Sequence, residues 1–431
     1  MLVKSEAALV DSASTRSAHP KRYYFLAILA VIYALNILDR SVFNVLMEPI
    51  KATFGLSDKT IGLIAGFGSV LFYSALGLPV ARLSDRFNRR NIILIGLTFW
   101  GAMTVFCGLA KNAVALTLAR VGVGIGETSS GPASQSIISD LFNKDERPRA
   151  LGIYAAGGYL GIFLGYFVGG YVNQHFGWRV AFIVAGLPGI PVAMLLWLTT
   201  NEPNRYAPET QSVVEGLRST LAFLVSQKSL VIVFIGWCIA SCANYSHLIW
   251  TPSFLARVHH LSSQQIGTYA GTFAGLASMV GTLIGGAVVS YVGRFDDRWR
   301  VWTIAIAMGL AFPAWALCLF AQQFATMIVG LAIASFISGF MLTPVFAIVQ
   351  TLGKPSMRAT TFALVVLAAG CIGQGLGPFF VGLINDAIAG RLGSEAIRYS
   401  LLSTTSLYVV GAIFFVWSGA FVRSDIARAE Q

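Results

Sequence analysis

Long apolar runs alternate with short polar interruptions along most of the chain. A membrane-spanning helix needs about 20 apolar residues in a row, and twelve stretches of that size can be read from the sequence. The pattern predicts transmembrane helices at 22 to 47, 59 to 82, 90 to 110, 113 to 139, 149 to 173, 179 to 199, 229 to 256, 263 to 291, 300 to 320, 324 to 350, 358 to 386 and 398 to 421. Because the first twenty residues are polar and lack the apolar core of a signal peptide, both termini are expected on one side of the membrane.

The composition agrees with a polytopic membrane protein. Hydrophobic residues make up 56% of the 431 residues and charged residues only 11%, and the mean hydropathy is +0.71. A soluble domain of this length does not carry so few charges. The predicted fold class is therefore an all-α membrane protein with twelve transmembrane helices.

Basic residues are distributed unevenly between the predicted loops. In an alternating topology, 21 of the 30 basic residues lie on the side of the termini and 7 lie in the opposite loops. Cytoplasmic loops are enriched in Lys and Arg, so both termini are expected in the cytoplasm. The same asymmetry accounts for the formal net charge of +11, and nucleic acid is not an expected partner.

Two pairs of segments repeat along the chain. "LSDKTIGLIAG" at 56 to 66 matches "LSSQQIGTYAG" at 261 to 271 at an offset of 205, and "GIFLGYFVGGYVN" at 161 to 173 matches "GQGLGPFFVGLIN" at 373 to 385 at an offset of 212. Two parallel six-helix halves explain both offsets, and such transporters bind substrate between their halves near the membrane midplane. The expected division is a tail at 1–21, a bundle at 22–199, a cytoplasmic linker at 200–228, a bundle at 229–421 and a tail at 422–431.

Four charged residues lie inside predicted spans. Asp39 and Arg40 interrupt the first span, and Arg120 and Glu127 lie two turns apart in the fourth. At a rise of 1.5 Å per residue, Asp39 and Arg120 fall at similar heights, with Glu127 about 10 Å deeper than Arg120. An unpaired charge at this depth costs at least about 2.5 to 3.5 kcal/mol. We therefore expect the two pairs to neutralise one another across the two helices.

Intramembrane ionisable residues often mark ion or proton pathways. A buried carboxyl group favours its neutral form, so Glu127 can take up and release a proton while Arg120 exchanges between Asp39 and Glu127. This hypothesis makes Asp39, Glu127 and Arg120 the proton-coupling residues of an alternating-access transporter. Static scaffolding by the same ion pairs is the alternative.

Two motifs carry a resemblance to the major facilitator superfamily. "ARLSDRFNRR" at 81 to 90 is similar to the family's loop signature G-x-x-x-D-R-x-x-R-R, with Ala81 in place of glycine, and "RVGVGIG" at 120 to 126 fits R-x-x-x-G-x-G, with Val123 in place of the usual glutamine. The resemblance implies a cytoplasmic conformational latch, in which the arginines pair with carboxylates such as that of Asp140 and hold the outward-facing state. Its residues would be Asp85, Arg86, Arg89, Arg90 and Asp140.

A closer resemblance is carried by "LNILDR" in the first span, "GETSSGPASQSIISDLF" through the fourth, and "RALGIYAAGGYLGIFLGYFVGG" after it. These segments resemble the Spinster lipid transporters, chiefly in the first half of the chain. The resemblance implies transport of a lysophospholipid or a sphingosine-1-phosphate-like amphiphile by a monomer in a bacterial inner membrane. Charged coupling and head-group positions would then be Asp39, Arg40 and Glu127.

Further substrate-binding candidates are polar residues at similar heights in the first and seventh spans. Arg40 offers a guanidinium fork for a phosphate-bearing head group, and Asn36, Tyr245 and His247 can hydrogen-bond to a substrate. For His247, a hydrogen bond between helices is an equally open alternative.

Other functions are less consistent with the sequence. A drug or organic-anion antiporter of the same fold is the second candidate, and a receptor or an enzyme on this fold is the third. No Walker loop, metal-binding histidine cluster or nucleophile elbow occurs. No cofactor is expected other than the proton as coupling ion, and the expected partners are an amphipathic substrate and membrane lipids.

Overall fold

A computed structural model describes residues 21–143, 146–203, 217–354 and 357–429. The helices of the first half of the chain are α1 (Arg22–Phe54), α2 (Asp58–Arg86), α3 (Arg89–Leu109), α4 (Ala113–Glu127), α5 (Ser130–Leu141), α6 (Arg147–Gly186) and α7 (Gly189–Thr199).

The second half of the chain is also built of helices. Its helices are α8 (Leu217–Ser226), α9 (Lys228–Val258), α10 (Ser263–Tyr269), α11 (Ala277–Val292), α12 (Arg298–Phe320), α13 (Phe324–Thr351), α14 (Arg358–Ala369), α15 (Gly377–Leu392), α16 (Ala396–Ser418) and α17 (Val422–Ala429). Two π-helical turns, Ala270–Leu276 and Gly370–Leu376, connect α10 to α11 and α14 to α15.

Helix length and hydropathy agree with a multi-pass membrane protein. Within the described ranges, eight helical stretches are long and apolar enough to cross a membrane, and two of them, Arg149–Thr199 and Leu364–Ser418, have 51 and 55 residues. At 1.5 Å per residue each of these two is long enough to cross twice. When segments that continue one another are grouped, the long described helices lie close to the predicted spans.

Two predicted features of the spans differ from the structure. Span four is broken between Glu127 and Ser130, because the ring of Pro132 clashes with the carbonyl four residues earlier, at Thr128, and supplies no N–H. The short loop predicted after 173 is instead a sharp bend inside α6 at Gly177, whose φ of 82° favours glycine.

Three predicted boundaries concern segments that the structure describes only in part. The tail at 1–21 is described only at Lys21, and residues 204–216 of the predicted linker lie outside the described residues. The rest of the linker contains α8, and the predicted terminal tail contains α17, so both segments hold a short helix.

The two halves meet along two seams. Helix α2 packs against α15 and the π-turn Gly370–Leu376, while α6 packs against α10 and the π-turn Ala270–Leu276. Both seams lie toward the face formed by loops 55–57, 110–112 and 259–262, opposite the described ends of the chain. We call this the distal face and the other the proximal face.

The seams are built from the segments that repeat in the sequence. A Cβ added at Gly62 would lie 2.6 Å from the carbonyl oxygen of Pro378, and one at Gly267 would likewise collide with the carbonyl of Tyr166. Gly267 and Pro378 are the repeat equivalents of Gly62 and Tyr166 at the offsets of 205 and 212. Two further pairs of contacts obey the same offsets. The contact of Gly66 with Gly375 is equivalent to that of Gly271 with Phe163, and the contact of Gly382 with Asp58 is equivalent to that of Gly170 with Ser263.

Candidate functional site

Helix α1 is held closely against α6 by small residues. A Cβ at Gly165 would lie 2.6 Å from the carbonyl oxygen of Leu38, and Gly157 and Gly161 approach the carbonyls of Ala30 and Ala34 in the same way. Small residues four apart allow two membrane helices to approach this closely. With this face of α1 occupied, its charged residues meet α4.

The first ion pair joins α1 to α4. Arg120 Nη1 donates to Asp39 Oδ2 at 2.9 Å, and the side chains of Arg120 and Asp39 are 3% and 2% exposed. The Arg120 guanidinium also lies 4.7 Å from the centre of the Phe43 ring, one helical turn beyond Asp39. A cation over an aromatic face gains further electrostatic stabilisation when it is removed from water.

The second ion pair joins the same two helices. Arg40 donates to Glu127 Oε2 from Nε at 2.9 Å and from Nη2 at 2.6 Å. The Glu127 side chain is fully buried, whereas that of Arg40 is 21% exposed. Arg40 is therefore the member of the group that a molecule arriving from an aqueous or lipid-filled path contacts most easily.

Glu127 is the last residue of α4, where the helix breaks. The hydroxyls of Thr128, Ser129 and Ser130 donate to the carbonyls of Ile125, Gly126 and Glu127, respectively. These bonds satisfy backbone groups that the break leaves without helical partners. Consequently the run "ETSS" terminates a helix inside the bundle without leaving those carbonyls unpaired.

The two carboxylates have unused hydrogen-bonding capacity. Asp39 Oδ1 and Glu127 Oε1 are buried and have no hydrogen-bond partner among the residues that the structure describes. Such atoms are uncommon in folded proteins, and each is a position where a proton can reside. The site has two cations and two anions, so one bound proton changes its net charge from zero to plus one.

A small, mostly apolar cavity with a few polar side chains lies in the second half. Its volume is ≈ 50 Å³, and Tyr166 and Ile162 of α6 close it from the first half. His247 is 2% exposed, shares a 2.8 Å hydrogen bond with Thr405 through Nε2, and stacks on Trp315 at 3.6 Å between ring centres. Its Nδ1 has no partner. The lining residues are Ile162, Tyr166, Asn244, His247, Leu248, Thr251, Ala270, Ala274, Ser278, Trp315, Ser335 and Ser338.

The remaining substrate-binding candidates are less clearly positioned. Asn36 is buried at 4% exposure, one turn before Asp39, and its Nδ2 has no hydrogen-bond partner. Tyr245 is half-buried in α9 but does not line the cavity. The hydrogen bond between His247 and Thr405 matches the alternative of a helix-to-helix contact. It leaves Nδ1 available for a ligand.

The predicted conformational latch forms an ion-pair cluster within the first half. Arg89 contacts Asp140 at 2.5 Å and Glu202 at 2.7 Å, and Arg90 donates from its backbone N–H to Glu202. Arg86 is exposed, and nothing is described of the side chain of Asp85. All of the described partners belong to the first half, so the latching role stays a prediction.

Sequence reasoning missed several members of these clusters. Glu202 follows α7 in a polar stretch read as linker, Trp315 resembles any apolar residue of a span, and Thr405 carries no charge. Tyr166 donates its hydroxyl to the Leu248 carbonyl at 2.6 Å, a contact that only the packed structure shows. Among the described residues, no group of three or more His, Cys, Asp or Glu is placed to hold a metal ion.

The chain is similar to known proteins over nearly its whole length. The family model described as Major Facilitator Superfamily matches residues 29–378. An MFS-type efflux pump of Mycolicibacterium smegmatis is 31% identical over 422 residues, 98% of each chain. The sphingosine-1-phosphate transporter SPNS2 of Mus musculus is 28% identical over 437 aligned positions, covering 94% of this chain and 78% of the relative.

The fold has a close counterpart among solved structures. A bacterial homologue of the human lysosomal transporter Spinster, crystallised in an inward-facing and unoccupied conformation, matches with a TM-score of 0.86. The two chains are 28% identical, and the match covers 95% of this chain and 99% of that chain.

Proposed function

The chain belongs to the major facilitator superfamily, and we propose that it is a proton-coupled secondary transporter that moves an amphipathic lipid across the membrane by alternating access. Its family and its structural counterpart indicate a multi-pass membrane transporter. The predicted resemblance to the Spinster transporters is confirmed by its relatives. The lipid substrate and the proton are the proposed part.

One observation carries the proposal, namely the buried pairing of Arg40 with Glu127. Protonation of Glu127 removes the negative charge that holds the Arg40 guanidinium. Arg40 then offers its planar fork to an anionic head group, for which phosphate has the right geometry. Substrate binding and proton uptake therefore involve the two partners of one ion pair, Arg40 and Glu127.

The second ion pair supports the same mechanism. Asp39 lies one residue before Arg40 on α1, and Arg120 lies two turns before Glu127 on α4. This pair adds one negative and one positive charge to the group. With Glu127 neutral, Asp39 is the remaining carboxylate of the group, and it balances one of the two arginines. The other arginine is left for the substrate anion.

The cavity around His247 supplies a recognition site without charge. Its lining contains hydroxyl, amide and imidazole groups, which suit the hydroxyl or ester of a lysolipid rather than its phosphate. We infer that the charged end of the substrate binds at Arg40 and that an uncharged polar group binds near His247 and Asn244.

Lipid flux in proteoliposomes tests the proposal. Purified protein is reconstituted with a labelled lysophospholipid, and transport is followed with and without an imposed pH gradient. Wild-type transport is expected to respond to the gradient. In Glu127→Gln, transport is expected to fall to the rate that wild type shows without a gradient. The control Glu146→Gln removes a half-exposed partner of Arg22 and is expected to retain the response. A gradient-independent wild type, or a Glu127→Gln variant that behaves like wild type, would contradict proton coupling.

A drug or organic-anion antiporter is the second candidate. It is favoured by the similarity to a protein described as an MFS-type efflux pump. Competition experiments separate the two functions. Inhibition of labelled-lipid transport by unlabelled lysolipids supports the lipid transporter, whereas inhibition by hydrophilic drugs and not by lipids supports the antiporter.

A further inference from the structure

The distal face holds an ion-pair cluster that joins the two halves. Arg257 of α9 contacts two carboxylates of the first half, Glu48 at 2.7 Å and Asp58 at 2.6 Å. Lys51 of α1 contacts Asp58 at 2.5 Å, and Asn385 of α15 also donates to Asp58. The Asp58 side chain is 2% exposed, so its charge depends on these partners.

The same seam contains a helix cap supplied by the other half. The first N–H groups of a helix have no intrahelical partner, and in α2 those of Asp58 and Lys59 donate to the two carboxylate oxygens of Asp386 at 3.0 and 2.8 Å. A carboxylate at a helix N-terminus is also favoured by the helix dipole. Separation of α2 from α15 therefore removes this cap along with the ion pairs.

The second seam has the equivalent contacts without charges. Asn173 donates to the Ser263 hydroxyl at 2.8 Å, and Gln174 accepts from the Ser263 backbone N–H at 3.2 Å. Ser263 is the repeat equivalent of Asp58, and Gln174 that of Asp386. One seam is thus held by charged groups and the other by neutral hydrogen bonds.

We propose that the Asp58 cluster is the latch that keeps the distal face closed, while the equivalent Ser263 seam contributes little to that closure. The proposal rests on the alternating access of the proposed function, since a latch matters only if the halves separate. Its members are Glu48, Lys51, Asp58, Arg257, Asn385 and Asp386. Removal of one partner from a buried ion pair leaves an uncompensated charge, so loss of the Asp58 carboxylate favours the open distal face.

A distance measurement tests the latch without any transport assay. Spin labels on the exposed Lys111 and Gln322 positions, one in a distal loop of each half, report the separation of the halves in nanodiscs. The five native cysteines are first replaced by alanine. Asp58→Asn is expected to raise the ratio of open to closed distal faces on the order of tenfold or more. The matched control Ser263→Ala is expected to leave the ratio within about twofold, as usual for loss of a weak exposed contact.

Each outcome decides the proposal. Equal distances in wild type and Asp58→Asn, or equal opening in Asp58→Asn and Ser263→Ala, would overturn it. Should Asp58→Asn fail to fold, Asp386→Asn retains the side-chain shape, removes the charge of the cap, and is expected to shift the ratio in the same direction. Failure of the proposed lipid transport would leave these distances unchanged, so the two failures are distinguishable.

Discussion

Single residues in this protein are constrained most strongly where charge is buried. Asp39 and Arg120 are both almost fully enclosed, and neither has water to replace a lost partner. Buried ion pairs add little stability compared with apolar packing, but removal of one partner is strongly destabilising because the other charge stays buried without compensation. This asymmetry means that Asp39 on α1 and Arg120 on α4 each require the other to be present.

Removal of one member of the first pair tests this dependence. We expect Arg120→Met to lower the free energy of unfolding by about 3 to 5 kcal/mol, because Asp39 is left unpaired. The double variant Arg120→Met with Asp39→Asn is expected to recover most of that loss. Denaturant unfolding in detergent micelles measures both, and strictly additive effects would show that the two side chains do not interact.

At the scale of elements, glycines and a proline set the geometry of the site. Gly126 lies against Trp100 of α3, and an added Cβ would come within 2.8 Å of the Trp100 Cβ. Pro132 lies in the first turn of α5 and breaks the helix between Glu127 and Ser130. Both π-helical turns lie at the seams between the halves, and π-turns are frequent at functional positions. Irregular backbone therefore occurs inside the first half, at the break after Glu127 and the bend at Gly177, as well as where the halves meet.

Steric probes test the closeness of the seams. Gly62→Ala and Gly267→Ala each place a methyl group against a backbone carbonyl of the other half, and overpacking of this kind costs about 1 to 3 kcal/mol. Both variants are expected to increase the distance between labels at Lys111 and Gln322. Gly309→Ala is the control, because a Cβ at this helical position meets nothing within 4 Å. An unchanged distance in all three variants would show that these glycine contacts do not control the separation of the halves at the distal face.

For the whole molecule, the two charged regions differ in how protons affect them. Burial alone would raise the pKa of the Asp58 carboxyl, which precedes the predicted span 59 to 82. Arg257 and then Lys51 outweigh burial and hold that pKa below its ordinary value of 3.8. Groups around Asp58 from the neighbouring elements are Glu48, Lys51, Arg257, Asn385 and Asp386.

The pH dependence of the latch follows from this direction. A lowered pKa in the closed state means that the contribution of Asp58 is complete above the ordinary value and is lost as the pH falls through the lowered one. We therefore expect the ratio of open to closed distal faces in Asp58→Asn, relative to wild type, to be constant between about pH 5 and 8. The label distances at several pH values measure it. A difference that grows or shrinks within this range would assign proton sensing to the latch instead of the Asp39 and Glu127 site.

The fold was predictable because bilayer thickness fixes the length of apolar runs. Hydropathy alone indicated a multi-pass helical protein, and the offsets of 205 and 212 indicated two related halves. The charges of Asp39, Arg40, Arg120 and Glu127 also indicated a site, since each charge at that depth needs a partner. These conclusions depend on local composition and on spacing along one helix.

Only the tertiary structure decided which groups meet. Spacing fixes the angle between Asp39 and Arg40 around α1, but not the rotation of α1 relative to α4, so the pairing of Asp39 with Arg120 and of Arg40 with Glu127 required packed helices. Likewise, Arg257 lies 199 residues after Asp58 in sequence, and Lys51, Asp58 and Arg257 read only as surface charges. Their role depends on contacts between the halves, because helix rotation and seam geometry are set by side-chain packing across the whole molecule.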